Sequence, residues 1–156
     1  MTVTLALDLG NHLGWALEMD RGTVISGTED FTPGRHEGGG MCYLRFRKFL
    51  QSVETGAEPT VVYYEEVRRH LGVDAAHKYG GYLAILTGWC ESMNIPYSGV
   101  PVGSIKKFIT GKGNASKKEV IENVRARGFN PKDDNEADAL ALLMLVTDQA
   151  PESRQP

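Results

Sequence analysis

Residues 2–17, TVTLALDLGNHLGWAL, decide how the rest of the chain is read. Leu5, Ala6 and Leu7 make a short apolar run that a carboxylate, Asp8, closes at once. Short apolar runs bounded by turn residues read as buried strands. Gly10 and Gly14 flank a tight turn around Asn11 and His12, and Trp15, Ala16 and Leu17 then resume an apolar run. The expectation is a two-strand hairpin with Asp8 near the end of its first strand. A carboxylate on a core strand is costly unless it is paired or bound to a metal. Alternatively, Asp8 caps the turn formed by Asp8-Leu9-Gly10-Asn11.

Working outward, residues 23–31 carry β-favouring Val24 and Ile25 and supply a third strand, antiparallel to the hairpin. A breaker-rich loop, TPGRHEGGG, fills 32–40, and 41–53 place Leu44, Phe46, Phe49, Leu50 and Val53 near helical spacing. The run 60–67, TVVYYEEV, is a further strand that ends in carboxylates, with Glu65 and Glu66 on opposite faces. Helices are expected over 72–93, 102–109, 117–127 and 135–147, and a short strand over 96–100. Gly80 and Gly81 permit close packing of the first of these helices. Ser116 caps the helix from 117, with Glu119 at the capping-box position. Strands in this order predict an α/β fold: three antiparallel strands, continued by parallel strands with crossover helices. At 156 residues one domain is expected, over 1–148, with a polar tail at 149–156.

The composition excludes several classes. No apolar stretch approaches the roughly 20 residues that span a bilayer, and Asp8 interrupts the first apolar run without a basic flank, unlike a signal peptide. Cys42 and Cys90 form neither a CxxC pair nor a disulfide framework, which suits a reducing cytoplasm. A formal net charge of -3 hides an uneven distribution. Residues 60–132 hold eleven Lys/Arg against six Asp/Glu, whereas 133–156 hold six acids against Arg154. A basic middle beside an acidic cluster suits a polyanion gripped near a cation-binding pocket.

A third acidic site, Asp133-Asp134-Asn135-Glu136-Ala137-Asp138, enters an apolar helix. Asp133 as N-cap with Glu136 explains two of these acids as helix-start chemistry. Asp138 stands apart, among Ala137, Ala139 and Leu140, and Asn135 and Asp134 precede it by three and four residues and so share its face. If Asp8, Glu65 and Asp138 converge, their repulsion needs a cation. Hard oxygen donors select Mg²⁺, with Mn²⁺ as substitute, over zinc.

The order of these segments (5–10 with Gly14, then Tyr63-Tyr64-Glu65-Glu66-Val67, then 111–120, then 136–142) resembles the RuvC-type Holliday-junction resolvases, their phage-borne branch most of all. The resemblance spans residues 2–145. It implies an RNase H-like fold, a homodimer with no nucleotide cofactor, and paired cuts in four-way junctions by metal-dependent phosphodiester hydrolysis with two ions per site. It further implies that Asp8, Glu65 and Asp138 bind metal, Glu65 taking precedence over Glu66, and that Lys117 lies near the scissile phosphate. Where the family carries Asp or His three residues before the last acid, this chain has Asn135, so Asn135 or Asp134 is the fourth ligand. Arg68, Arg69 and His70 fall on junction-facing surface, and Lys106, Lys107, Lys112 and Lys118 are further DNA-binding candidates.

Two other readings compete. Asp8-Leu9-Gly10 with Gly14 also resembles the phosphate hairpin of actin-like and sugar-kinase proteins, which need a second domain that 156 residues cannot hold. A module that binds branched DNA without cutting it fits the presence of Asn135.

Overall fold

A computed structural model of the chain describes residues 1–20 and 22–148; the expected tail at 149–156 lies outside the described residues. Its strands are β1 (Thr4–Asp8), β2 (His12–Met19), β3 (Thr23–Asp30), β4 (Val61–Glu66) and β5 (Tyr97–Pro101). Its helices are α1 (Met41–Gly56), α2 (Val73–Ser92), α3 (Val102–Thr110), α4 (Lys117–Ala126) and α5 (Asp134–Asp148). The strands form one sheet in the order β3-β2-β1-β4-β5. The pairs β1–β2 and β2–β3 are antiparallel, and β1–β4 and β4–β5 are parallel, which is the mixed sheet expected of an RNase H-like fold.

The hairpin differs from expectation at Gly14. It is not a turn residue: β2 begins at His12, and Gly14 pairs with Asp8 inside the ladder. The turn is therefore confined to 9–11. A Cβ on Gly14 would lie 1.9 Å from the Asn135 carbonyl oxygen, so this position must be glycine for α5 to approach. Of the two glycines in α2, Gly81 does the packing, against the Tyr43 ring, while Gly80 faces open space.

Alternation along the strands sorts the side chains into two cores. Leu5, Leu7, Leu13, Leu17 and Val62 face α1 and α2, where they meet Phe46, Leu50, Tyr82 and Leu86. Ala6 and Ala16 point the other way, toward α3, α4 and α5. These small side chains, with Gly14, let α5 lie close on β1 and β2. That helix is buried nearly all round, from Ala137 through Leu145, so it stands as a core element rather than an amphipathic cover. Each fully buried leucine on it stabilises the packing by about 1.5–3 kcal/mol.

Candidate metal centre and nucleic-acid interface

The same alternation carries the acids. Asp8 follows Leu7 and shares its face with Ala6, while Glu65 shares its face with Tyr63, which packs in the α5-side core. Leu7 and Tyr64 are paired across the parallel strands, so one step further Asp8 and Glu65 stand side by side at the carboxyl ends of β1 and β4. Glu66 points to the opposite face and accepts from Arg68 at 3.1 Å. Asp138, on the second turn of α5, completes a group in which one carboxylate oxygen from each of Asp8, Glu65 and Asp138 lies within 4.8 Å of the others.

The first turn of α5 is held by a network that sequence reasoning assigned only to capping. Asp133 accepts from the Glu136 N–H at 2.8 Å, the N-cap bond expected, and also from the Thr28 hydroxyl at 2.7 Å. Glu136 is 4% exposed; it accepts from Ser26 at 3.0 Å and from the Lys132 N–H at 3.1 Å. Thus β3 tethers α5 from one side while Gly14 admits it from below. The carboxyl end of β4 has its own latch: Tyr79 donates to the Glu65 carbonyl at 2.9 Å and accepts from the Val67 N–H at 3.3 Å. Nothing in the sequence marks Tyr79 for this, because the bond is to backbone.

Electrostatically the acids are frustrated. Burial first, then Glu65, Asp138 and Asp134, push the Asp8 carboxyl well above the usual carboxylate range, and Lys117 opposes them. Burial raises Glu65, and Lys106 counters it. Asp138 is pushed up to about 7 by burial, then by Glu65 and Asp134, against Lys106 and Lys117. Three half-buried carboxylates held together against their own repulsion fit a hard divalent cation, and all donors in the group are oxygen.

The remaining sequence candidates fall around this group in distinct ways. Lys117, at the start of α4, pairs with Asp134 at 3.3 Å. Asp134 is thereby drawn to the lysine while its charge still bears on Asp8 and Asp138. The Asn135 backbone is the part that packs on Gly14. Lys106 is half-buried and bears electrostatically on Glu65 and Asp138, which separates it from exposed Lys107 on the same helix. Lys112 pairs with Glu119 at 3.7 Å and Lys118 with Glu122 at 3.8 Å, both in solvent. The expected capping box at Ser116 and Glu119 is present. Arg68 and Arg69 are exposed in the segment after β4, and the His70 ring sits 5.1 Å from that of Tyr79. Among the described residues no helix is long and apolar enough to cross a membrane.

No protein-family model matches the chain, and no curated protein matches it in sequence. Solved structures do. Thermus thermophilus RuvC in complex with a Holliday junction substrate superposes with a TM-score of 0.75 at 24% identity, over 90% of each chain. A second Thermus thermophilus RuvC structure gives 0.69 at 21%, over 94% of this chain and 97% of that one. The yeast mitochondrial Holliday junction resolvase Ydc2 gives 0.58 at 12%, over 88% of this chain and 74% of that one. Likeness at such identities speaks to architecture, and on that ground this chain has the RNase H-like fold of the RuvC-type Holliday junction resolvases.

Proposed function

We propose that this chain is a metal-dependent, structure-selective endodeoxyribonuclease that cuts phosphodiester bonds in branched DNA, four-way junctions above all. The observation that carries the reading is the convergence of Asp8, Glu65 and Asp138 at the strand ends of a resolvase fold. Residues 1–148 act as one nuclease domain, and two copies form a homodimer, because a four-way junction needs two cuts and the described residues of each chain hold one such acid cluster.

Asp8, Glu65 and Asp138 would hold two Mg²⁺ ions, with Mn²⁺ a workable substitute, and Asp134 or Asn135 would supply a fourth donor. When bound there, the ions supply a water nucleophile at neutral pH and stabilise the departing 3′ oxygen. The chain itself does the rest. The Tyr79 latch and the Gly14 seat keep the three carboxylates in register. Lys106 and Lys117 offset charge that builds on the phosphate, from two sides of the acids. Lys107, Lys112 and Lys118 grip backbone phosphates, and the surface ion pairs of Lys112 and Lys118 are weak enough to exchange for DNA. Arg68, Arg69 and His70 contact the junction beside Leu71, whose apolar side chain is fully exposed and suits insertion at unstacked bases.

Asn135 favours one rival: a neutral amide where a charged fourth ligand is expected leaves room for a module that binds junctions without cutting. Incubating purified protein with labelled four-way junction, Y-fork and duplex, each with Mg²⁺, Mn²⁺ or chelator, separates the two. Incision of the junction with metal and none with chelator is the expected result. Asp8→Asn and Asp138→Asn should abolish incision yet bind junction in chelator. Binding without incision under either metal establishes the module instead, and wild-type cutting by either variant overturns the site.

A further inference from the structure

The loop between β3 and α1 lies at the acid-bearing end of the sheet. β3 runs parallel to β1, with β2 between them, and its last residue, Asp30, pairs with His12 beside the β1–β2 turn. Phe31 then donates to the Asn11 carbonyl at 2.7 Å, which ties the start of the loop to that turn. Two strand spacings separate β3 from β1, about 9.5 Å. The α3 lysines lie on the other flank, since α3 follows β5 at the opposite edge of the sheet.

The loop is built rather than slack. Arg45 donates to the Glu37 carboxylate at 2.7 Å and to the carbonyls of Phe31 and Thr32 at 3.3 and 3.2 Å. Glu37 also accepts from the Gly34 N–H at 2.6 Å, and its own N–H closes the turn 34–37 on the Gly34 carbonyl at 3.1 Å. Arg45 and Glu37 thus neutralise one another, and Asp30 is engaged by the Thr32 N–H and by His12. Arg35 and His36 are left at the two central positions of the turn. Both are exposed, and among the described residues neither makes a hydrogen bond or ion pair. A preformed turn that presents a free guanidinium beside an imidazole matches a phosphate: the planar fork takes two oxygens, and the ordering cost is already met by the clamp.

We propose that the turn 34–37 is a second anchor for the DNA backbone, in which Arg35, assisted by His36, binds a phosphate on the flank of the acids opposite the α3 lysines. The anchor is sequence-independent and sets how the strand crosses the site. It rests on the branched-DNA reading above, and the test keeps the two apart.

Junction binding is measured by fluorescence anisotropy in chelator over about 50 to 200 mM salt for the wild type, Arg35→Ala, Arg35→Lys, His36→Ala and Lys48→Ala. Lys48 is exposed in the middle of α1 and serves as the control. Arg35→Ala is expected to bind several-fold more weakly at low salt and to lose about one from the slope of log affinity against log salt. Arg35→Lys should recover the slope, His36→Ala should weaken binding with little change of slope, and Lys48→Ala should match the wild type. If Arg35→Ala keeps the wild-type slope and affinity while the wild type binds junctions, the anchor is refuted and the nuclease reading stands. Failure of the wild type to bind any branched DNA removes the reading itself, and the anchor with it.

Discussion

Replacing Asp138 with asparagine is expected to stabilise the metal-free protein while destroying its activity. The side chain keeps its shape and loses only the charge that the site resists. Burial and the neighbouring acids push the Asp138 carboxyl up to about 7 from an ordinary value of 3.8. Between those two values the native chain holds a proton that the unfolded chain has released. An acid raised in this way makes stability fall as pH rises across that window, the reverse of the usual salt-bridged carboxylate. At about 1.4 kcal/mol per pKa unit the loss reaches up to about 4 kcal/mol by pH 8. About 3 kcal/mol of that falls between pH 5 and pH 8, which at a urea dependence of about 2 kcal/mol per molar is a midpoint shift of about 1.5 M. Urea titrations with chelator at pH 5 and pH 8 read it directly. The wild type should lose stability between the two, and Asp138→Asn should be flatter and the more stable protein at pH 8. Added Mg²⁺ should then raise the wild-type midpoint more than that of the variant, because binding to the native state stabilises by mass action. An equal difference between the two proteins at pH 5 and pH 8 would refute the claim that burial and the neighbouring acids raise the Asp138 carboxyl in the folded state.

Three further outcomes follow from the geometry. Lys106→Met should slow incision by about 10² at saturating Mg²⁺, in the range of losing one preorganised electrostatic donor, with only a several-fold effect on junction binding in chelator. Gly14→Ala forces a methyl against the Asn135 carbonyl; a thermal melt should show a loss of about 1–3 kcal/mol, and incision should fall far more than binding. Ser26→Ala removes a donor from buried Glu136 and should cost about 1–3 kcal/mol in a denaturant titration, since the carboxylate oxygen is left without its partner.

Much of the fold was legible because its signals are local. The short apolar run ending at Asp8, the period-two strands and the Ser116 capping box each depend on neighbours in sequence, and each element formed close to its expected bounds. The site was legible in part. Alternation puts Glu65 and Glu66 on opposite faces but is silent on which face receives α5. That choice depends on Ala6, Gly14 and Ala16 forming a seat, which only the assembled sheet provides. Gly14 reads as a turn residue because its reason for being glycine is a backbone carbonyl on the last helix. Lys106 and Lys107 look alike in sequence. The burial of Ile105 and Ile109 orients α3 so that Lys106 turns toward the acids and Lys107 toward solvent. Tyr79 and the hydroxyls of Ser26 and Thr28 carry no signal at all, since their partners are distant in the chain.

The tether between β3 and α5 has a consequence for when the acid cluster is complete. Any state in which the fifth helix has not docked, whether during synthesis or after local opening, exposes Asp8 and Glu65 without their third companion. Such a chain retains its α3 and α4 lysines, yet it lacks the complete carboxylate group. On the nuclease reading proposed above, incision would wait for the docking of that helix.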